Sequence, residues 1–315
     1  MRIVFMGTPE FAVASLKALV NSKHEVVGVV TVADKPAGRG KKLKSSAVKE
    51  YALQEGIEVL QPLKLRDEFF VERLKNLNAD IFVVVAFRML PKSVWSIPSK
   101  GTFNIHGSLL PQYRGAAPIN YAIINGDKET GLTTFMIDEK IDTGKIILQR
   151  KCEISNTDDV GILHDKLMFM SESIVVDTCN IIENGNVDLI PQEKVSDDFD
   201  YRPAPKIFKE DCRIPVNMDV NKAYNLIRGL SPYPASFLKL LSPNGEKLIM
   251  KVFKTEIVEV DSKAGEIYTD GKKEFFIGLN NGRLKVLSLQ LQSKKRMNVG
   301  DFLRGFPINN DWKWE

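Results

Sequence analysis

The sequence contains few cysteines and histidines, with three of each in 315 residues. Cys152, Cys179 and Cys212 are odd in number and have no C-x-x-C spacing, so neither a disulfide framework nor a zinc site is expected. Unpaired thiols are typical of a reducing compartment, which indicates a cytoplasmic protein. The histidines are too scattered to form a cluster of metal ligands, so no metal is expected.

Long apolar runs and nucleotide-binding glycine motifs are also missing. No apolar run approaches the ~18 residues that cross a bilayer, and the first residues show no secretory pattern, so neither a membrane nor a secretory signal is expected. The first strand and helix are joined around one glycine, Gly7, rather than a G-x-G-x-x-G turn, which argues against a dinucleotide cofactor. Thr8 is the predicted N-cap of that helix, with Pro9 as its first residue. The basic segment that follows the second strand lacks the Gly-Lys-Ser/Thr ending of a P-loop, which argues against nucleotide hydrolysis.

The composition is that of a folded protein with a substantial core. Apolar residues make up 43% and charged residues 27% of the chain, and its length exceeds that of a typical single core, so two domains are expected. Alternating strands and helices predict an α/β domain with a doubly wound, mostly parallel sheet. A helix over 220–230 and short strands such as 247–258 predict a small antiparallel barrel after it. The predicted boundaries are an N-terminal domain over 1–190, a linker over 191–207 and a C-terminal domain over 208–315.

The net charge of +4 is unevenly distributed along the chain. Residues 208–315 contain 18 Lys and Arg against 13 Asp and Glu, whereas residues 1–207 contain 26 against 27. The basic excess therefore lies in the predicted C-terminal domain. An excess of this size is common in soluble proteins, and alone it favours a nucleic-acid partner only slightly.

The stretch 102–118 combines structural and chemical patterns. An apolar run over 79–86 predicts a buried strand, and residues 101–105 predict the next strand. Asn104 and His106 have the same parity, so on an extended chain their side chains point to one face, about 6 to 7 Å apart. In a parallel sheet His106 lies at the carboxyl end of its strand, where open α/β sheets bind ligands. The alternative is a hydrogen-bonded or exposed histidine without a catalytic role.

A second polar element, Asp142-Thr-Gly144, lies in a predicted loop between strands over 131–138 and 145–152. A carboxylate held near a histidine orients the ring and favours its protonated form. Asp142 is therefore a candidate partner for His106. These three residues are also common as simple turn chemistry, and that interpretation stays open.

The segment 33–44 interrupts the alternation of strands and helices with basic residues: Lys35, Arg39, Lys41, Lys42 and Lys44 against one acid. Its glycines and proline predict a loop. Lysine and arginine neutralise phosphate charge and release counterions, so the loop is a candidate contact for nucleic-acid phosphates. The alternative is a solvated loop that binds nothing.

Five motifs together carry a resemblance to a known family: Gly7-Thr-Pro-Glu-Phe11, Lys35-Pro-Ala-Gly-Arg-Gly-Lys-Lys-Leu43, Asn104-Ile-His-Gly-Ser-Leu-Leu-Pro111, Tyr113-Arg-Gly-Ala-Ala-Pro118 and Ile141-Asp-Thr-Gly144. Over essentially its whole length the chain resembles bacterial formyltransferases that use 10-formyltetrahydrofolate. The Asn-x-His with a later Asp is typical of the whole family, whereas the basic loop and the C-terminal barrel are typical of members that act on methionyl-tRNA. The resemblance implies a Rossmann-like formyltransferase domain followed by an OB-like tRNA-binding barrel.

The resemblance also implies roles for individual residues. Asn104, His106 and Asp142 correspond to the family's catalytic residues. The implied folate-binding residues are Ser108, Leu109, Leu110 and Pro111, and the implied tRNA-binding residues are Arg39, Lys41 and Lys42. Residues 86–91 read Ala-Phe-Arg-Met-Leu-Pro, one residue shorter than in relatives and without their glycine, so pterin contacts in this segment are not carried over.

The implied reaction transfers formyl from 10-formyltetrahydrofolate to the α-amino group of initiator methionyl-tRNA, which gives N-formylmethionyl-tRNA for translation initiation. Attack of the amine creates a tetrahedral oxyanion, for which the Asn104 amide and a His106 ring N–H are candidate donors. Asp142, together with a water molecule, is expected to assist proton transfer. A cytoplasmic monomer is expected.

Three other function classes have weaker support in the sequence. A formyltransferase acting on an amino-sugar nucleotide would share the three polar residues but would not need the basic loop and barrel. A non-catalytic RNA-binding protein would keep the basic segments but would not need Asn104, His106 and Asp142 in one cleft. A dehydrogenase would need a glycine fingerprint and an acid at the end of the second strand.

Overall fold

The computed structural model describes residues 1–37, 42–185, 187–195 and 201–315. The chain divides into two compact units. The first contains Met1–Pro118, Thr130–Glu153 and His164–Pro203, and the second contains Ile119–Glu129, Ile154–Leu163 and Ala204–Glu315. The predicted division at 1–190, 191–207 and 208–315 stays a prediction.

The first unit is built on a seven-stranded sheet. Its part of the chain contains β1 (Arg2–Gly7), β2 (Glu25–Val30), β3 (Lys35–Ala37), β4 (Lys42–Lys44), β5 (Val59–Leu60), β6 (Ile81–Val85), β7 (Thr102–His106), β8 (Glu129–Met136) and β9 (Ile146–Glu153). The sheet has the order β5-β2-β1-β6-β7-β8-β9, and β3 pairs with β4 separately. The first five strands in this order, β5, β2, β1, β6 and β7, are parallel to one another, and β8 is antiparallel to β7. The prediction of a mostly parallel sheet is confirmed.

The helices in this part of the chain are α1 (Glu10–Val20), α2 (Ala47–Gln54), α3 (Glu68–Asn76), α4 (Lys92–Trp95), α5 (Pro118–Ile124) and, after β9, α6 (Val160–Glu183). Most of α5 and the first turn of α6 belong to the second unit. Ser46 and Asp67 cap α2 and α3 by accepting backbone N–H groups of the first turn. The predicted cap of α1 was wrong. Pro9, not Thr8, occupies the N-cap position, because its ψ of 174° is extended and helical dihedral angles begin at Glu10. None of the helices within the described residues is both long and apolar enough to span a membrane.

The core of the first unit lies on both faces of the central strands. All five residues of β6 are buried, and Phe5, Phe82 and Phe103 are among the largest fully buried side chains. Burial of each such side chain contributes about 1.5–3 kcal/mol to folding. This packing holds β6 and β7 firmly, so the residues at their carboxyl ends have defined positions.

The order of the strands creates a topological switch point between β1 and β6. From β1 the chain proceeds through β2 to β5 on one side, and it then returns to the other side for β6 and β7. Open α/β sheets bind ligands outside the carboxyl ends of the strands at such a point. The segment that follows β6 and the end of β7 both lie at this edge.

The second unit contains an antiparallel barrel. Its strands are β10 (Ser236–Leu241), β11 (Lys247–Val258), β12 (Ile267–Thr269), β13 (Phe275–Leu279), β14 (Gly282–Leu291), β15 (Met297–Asn298) and β16 (Lys313–Trp314), with helices α7 (Val220–Leu230) and α8 (Val299–Gly305). The strand order is β12-β13-β14-β11-β10-β16, and β15 pairs with β14. An antiparallel bridge between Glu266 and Lys313 joins the two ends of this order. The predicted barrel is confirmed, although β15, β16 and α8 were not predicted.

Candidate active site

His106 and Asn104 lie on β7, at the edge of the sheet that the strand order marks for ligand binding. Asn104 pairs in parallel with Val84 of β6. His106 is the last residue of β7 and therefore lies at its carboxyl end. His106 is buried, with 6% of its surface exposed, whereas Asn104 is partly exposed. Within the described part of the chain, the Asn104 amide has no hydrogen-bond partner. Its donor groups are therefore available to a ligand.

The His106 ring is held by one strong hydrogen bond. Its Nε2 lies 2.8 Å from the carbonyl oxygen of Tyr113. Because a carbonyl oxygen only accepts, Nε2 carries a hydrogen and Nδ1 is the remaining nitrogen for chemistry. The ring also lies edge-on to Phe135, with centroids 6.5 Å apart. In the neutral ring Nδ1 is therefore an acceptor, and it can donate to a ligand only when both ring nitrogens carry a hydrogen.

The structure brings Asp142 to the remaining nitrogen of His106. The distance from Asp142 Oδ2 to His106 Nδ1 is 3.8 Å, longer than a hydrogen bond of about 2.7–3.2 Å. The same oxygen accepts the backbone N–H of Gly115 at 3.0 Å. A backbone donor therefore holds the carboxylate facing the ring, and the carboxylate makes no direct hydrogen bond to Nδ1.

The loop that carries Asp142 requires its glycine. A Cβ atom at Gly144 would lie 1.6 Å from the carbonyl oxygen of Met136, so only glycine allows the loop to return so close to β8. Asp142 itself has a φ of +54°, which is uncommon for a residue other than glycine. Strained dihedral angles of this kind persist only where surrounding contacts enforce them.

One of those contacts comes from a residue that the sequence did not reveal. The side-chain amide of Gln192 donates to the carbonyl oxygens of Asp142 and Gly144, at 2.9 and 2.8 Å. Gln192 belongs to a short 3₁₀ helix, Gln192–Lys194, in the segment predicted as a linker. A single glutamine in a polar segment carries no sequence signal for such a role.

The predicted folate-binding residues form a tightly bonded turn after β7. The Thr133 hydroxyl donates to the Ser108 carbonyl oxygen at 2.7 Å and accepts the Leu110 N–H at 3.0 Å. Gln149 donates to Leu110 O and to the Thr133 hydroxyl, both at 2.9 Å. Three of the four residues, Ser108, Leu110 and Pro111, are buried, and Leu109 is partly exposed. Leu109 and the backbone are thus the parts of this turn that can touch a ligand.

The Ser108 hydroxyl itself is occupied within the turn. It donates to the Gln112 carbonyl oxygen at 2.6 Å. Its contribution to a ligand site is therefore the shape of the turn rather than a free hydroxyl.

The segment that departs from the family pattern is tied to a neighbouring loop. The Arg88 guanidinium donates to the carbonyl oxygens of Pro62 and Leu63, the latter at 3.2 Å. Ala86, directly after β6, has a φ of +47°, and Met89 in the following loop is 75% exposed. The shorter segment is thus held by an arginine and presents a large apolar side chain beside the switch point.

The predicted tRNA-binding residues are only partly described. Arg39 and Lys41 lie outside the described residues, and Lys42 is described only as backbone in β4. The flanking residues, predicted as loop, pair as an antiparallel hairpin in which Lys35 faces Lys44 and Pro36 faces Leu43. The prediction of a loop was therefore wrong for residues 35–37 and 42–44, whose pairing depends on the partner strand.

Asp34 anchors the base of that hairpin. Its carboxylate accepts the Lys49 ammonium at 2.6 Å and the Gln61 amide at 2.8 Å. The hydrogen bond from Lys49, followed by that from Gln61, lowers the pKa of Asp34 below its usual value. The hairpin therefore leaves the body of the first unit from a bonded base.

The described residues include no group of three or more His, Cys, Asp or Glu side chains placed to hold a metal ion. All three cysteines are free and buried. Burial raises the pKa of the Cys179 thiol to about 12, so that thiol stays protonated and unreactive.

Comparison with known families matches both parts of the chain. Residues 1–179 match the family Formyl transferase, and residues 206–307 match Formyl transferase, C-terminal domain. The chain is 52% identical over 315 residues to the methionyl-tRNA formyltransferase of Bacteroides thetaiotaomicron, covering 99% of this chain and 98% of that protein. It is 51% identical to the methionyl-tRNA formyltransferase of Flavobacterium johnsoniae, with 99% and 98% covered.

Solved structures share the fold at lower identity. An N-formyltransferase from Helicobacter canadensis, in complex with folinic acid and dTDP-3-aminofucose, has a TM-score of 0.62 and 21% identity, covering 90% of this chain and 98% of its own. HypX from Aquifex aeolicus, in complex with tetrahydrofolic acid, has a TM-score of 0.61 and 19% identity, covering 99% of this chain and 50% of its own. With both parts of the chain matched and the relatives aligned end to end, this chain belongs to the formyl transferase family, in its methionyl-tRNA formyltransferase group.

Proposed function

We propose that the protein transfers the formyl group of 10-formyltetrahydrofolate to the α-amino group of initiator methionyl-tRNA, which supplies N-formylmethionyl-tRNA for translation initiation. The observation that carries the proposal is the approach of the Asp142 carboxylate to Nδ1 of His106, on the strand that also carries Asn104. The near full-length identity to methionyl-tRNA formyltransferases supports the choice of acceptor.

Asn104 and His106 would stabilise charge on the formyl oxygen. Attack of an amine on the formyl carbon places negative charge on that oxygen, and the barrier falls when hydrogen-bond donors already point at it. The Asn104 amide has no partner in the described residues and can supply one donor. His106 can supply the second donor from Nδ1 when both of its ring nitrogens carry a hydrogen, since Nε2 already donates to the Tyr113 carbonyl oxygen.

Asp142 would manage the proton of the attacking amine. An α-amino group has a reference pKa of about 7.7–8.0, so it is partly neutral at physiological pH and loses its remaining protons as it is acylated. The carboxylate lies 3.8 Å from Nδ1, which is close enough to stabilise a protonated ring and to pass a proton through one water molecule. The leaving nitrogen of the folate would receive that proton.

The turn over 108–111 would bind the formyl donor, and the basic hairpin would bind the tRNA. The turn is held by Thr133 and Gln149, so it can present Leu109 and its backbone without reorganising. Arg39, Lys41 and Lys42 would meet tRNA phosphates, since lysine and arginine side chains neutralise the charge of a phosphate backbone. The C-terminal barrel carries the basic excess of the chain and would contact the same RNA.

We also propose that the protein acts in the cytoplasm, where its two substrates are made and used, and as a monomer. Sedimentation of the purified protein at assay concentration would show one species of about 35.4 kDa.

The test is transfer of labelled formyl from 10-formyltetrahydrofolate to separate acceptors. These are initiator methionyl-tRNA, elongator methionyl-tRNA, glycinamide ribonucleotide and an amino-sugar nucleotide. We expect label on initiator methionyl-tRNA alone. Label on the sugar nucleotide but on neither tRNA would replace this proposal with a sugar-modifying function.

A further inference from the structure

The side chain of Gln192 forms all of its hydrogen bonds with residues in the loops of the candidate active site. The residue is buried, with 1% of its surface exposed. Its amide nitrogen donates to the carbonyl oxygens of Asp142 and Gly144. Its amide oxygen accepts two hydrogen bonds from Arg114, from Nε at 3.0 Å and from Nη2 at 2.6 Å. A buried amide whose donors and acceptor are all paired fixes the groups around it.

These bonds close a ring around the site. Gln192 holds the backbone of Asp142, the Asp142 carboxylate accepts the N–H of Gly115 at 3.0 Å, and Arg114 returns to Gln192. The ring therefore fixes Asp142 at both its backbone and its carboxylate. Removal of Gln192 opens the ring at the backbone end.

The same ring also reaches His106. The residue before Arg114 is Tyr113, whose carbonyl oxygen accepts the His106 Nε2 hydrogen at 2.8 Å. Segment 113–115 therefore holds the ring of His106 and the carboxylate of Asp142 at once. The relative position of the two groups depends on how this segment is joined to the Asp142 loop, and Gln192 is the side chain that joins them.

The two segments that Gln192 joins each contain a residue with a strained backbone conformation. Both Asp142 and Tyr113 have left-handed backbones, with φ of +54° and +60°. Such conformations for residues other than glycine persist where surrounding contacts over-determine them. The Gln192 amide donates to the backbone carbonyl oxygen of Asp142, and the Gly115 N–H donates to its carboxylate.

We propose that Gln192 is a positioning residue for formyl transfer, which sets the distance and angle between the Asp142 carboxylate and His106 Nδ1. The inference rests on the proposed function. Gln192 does not touch the reacting groups itself. Its effect passes through the backbone of Asp142 and through Arg114.

The test compares Gln192→Met with Glu193→Met in a formyl-transfer assay with initiator methionyl-tRNA. Methionine has nearly the volume of glutamine but cannot form these bonds, and Glu193 is an exposed neighbour in the same 3₁₀ helix. We expect kcat of Gln192→Met to fall about 10²-fold, the effect of an ~1 Å misplacement. The KM values for both substrates should stay within about threefold of wild type, and Glu193→Met should match wild type throughout.

A second variant, Gln192→Glu, separates positioning from simple support of the fold. The introduced carboxyl keeps an acceptor for Arg114, but when ionised it repels the carbonyl oxygens of Asp142 and Gly144. The reference pKa of a glutamate is about 4.3 and the Arg114 guanidinium favours the ionised form, so the carboxyl repels both carbonyl oxygens at assay pH. We therefore expect kcat of Gln192→Glu to fall at least as far as that of Gln192→Met with both KM values near wild type, whereas a loss of general stability would lower the amount of folded enzyme and leave kcat per folded molecule unchanged.

A spectroscopic measurement keeps the inference testable without activity. The ring nitrogens of the three histidines can be observed by ¹⁵N NMR in wild type and in Gln192→Met. The Nδ1 signal of His106 should change while those of His24 and His164 do not. If Gln192→Met fails to fold, kcat and the His106 Nδ1 signal of Gln192→Glu test the positioning role instead.

The outcomes distinguish this inference from the proposed function. Wild-type protein that forms no N-formylmethionyl-tRNA would overturn the proposed function. Active wild type together with a Gln192→Met variant whose kcat is within twofold of it, or an unchanged His106 signal, would overturn the positioning role and leave the function intact.

Discussion

The mixed sheet of the first unit and the barrel of the second unit bury their strands in different ways. Strand β6 is buried at every position and β7 at every position except Asn104. Strands β10 and β14 instead alternate buried and partly exposed residues along most of their length. A ligand can therefore meet side chains of β6 and β7 only near their carboxyl ends, whereas it can meet those of the barrel along its outer surface.

This difference separates two kinds of function. In the first unit, a few polar groups are concentrated at one edge and held by individual hydrogen bonds. In the barrel, cations such as Lys239, Lys251 and Lys285 are partly exposed, one on each of the strands β10, β11 and β14. We expect single substitutions at the edge of the first sheet to have large effects and single substitutions on the barrel surface to have small ones, because phosphate contacts contribute individually and roughly equally.

The largest expected effect comes from Asp142→Asn. The substitution removes the negative charge that faces His106 Nδ1 and keeps the size of the side chain. We expect kcat to fall by about 10²- to 10⁴-fold, the range for loss of a positioned acid or base, with little change in the Kd for tRNA. The control is Glu172→Gln, an exposed carboxylate on α6, which should behave as wild type. Equal losses in kcat and tRNA affinity for Asp142→Asn would remove the chemical role assigned to it.

A pair of core substitutions tests whether the site depends on its own sheet. Phe103 and Phe275 are fully buried, in β7 and in the barrel respectively. Replacement of either by alanine should cost about 3–5 kcal/mol of stability, which amide hydrogen exchange can report for each unit separately. Only Phe103→Ala should also lower kcat per folded molecule, because Phe103 precedes Asn104 in the same strand. A similar fall in kcat for Phe275→Ala would show that the core of the barrel also affects the geometry of the candidate active site.

The smallest expected effect concerns the basic hairpin. Asp34→Asn removes the anchor to Lys49, and Arg39→Ala removes one cation from the segment itself. Each should raise the KM for initiator tRNA a few-fold and leave the tRNA-independent hydrolysis of 10-formyltetrahydrofolate unchanged. Glu50→Gln, an exposed acid next to Lys49, is the control. A change in folate hydrolysis would place the hairpin in the chemical step instead.

The anchor also has a defined pH dependence. The pKa of Asp34 is lowered in the folded protein, chiefly by the hydrogen bond from Lys49. Its contribution is therefore complete above the unfolded-state pKa of about 3.9 and is lost as the pH falls through the lowered folded-state value. The difference in stability between wild type and Asp34→Asn should shrink over that acidic range.

Much of the fold was predictable because its signals are local. The bounds of α7 and β11 agree with those predicted, since a helix repeats every 3.6 residues and a strand every two. Other elements gave no local signal. Strand β16 has two residues and pairs only because the barrel has already formed beside it. The hairpin of β3 and β4 was likewise read as a loop, because its pairing depends on the partner strand.

The candidate site divides in the same way. The position of Asn104 and His106 on one face follows from the alternation of side chains along a strand. The Asp-Thr-Gly loop made Asp142 a candidate partner, and the resemblance to formyltransferases implied its catalytic role. Neither source indicated that Nε2 of His106 would be occupied by Tyr113, which leaves Nδ1 for chemistry. That assignment depends on how the chain turns back after β7.

By itself, the sequence determined the alternation of strands and helices, the barrel that follows, and which polar residues end the central strands. These features arise from periodicity and turn chemistry within a few residues. Only the tertiary structure decided that Gln192 would hold Asp142, 50 residues away in the chain. A hydrogen bond over that separation forms only after both segments are packed against the same sheet, and no short-range pattern can encode it.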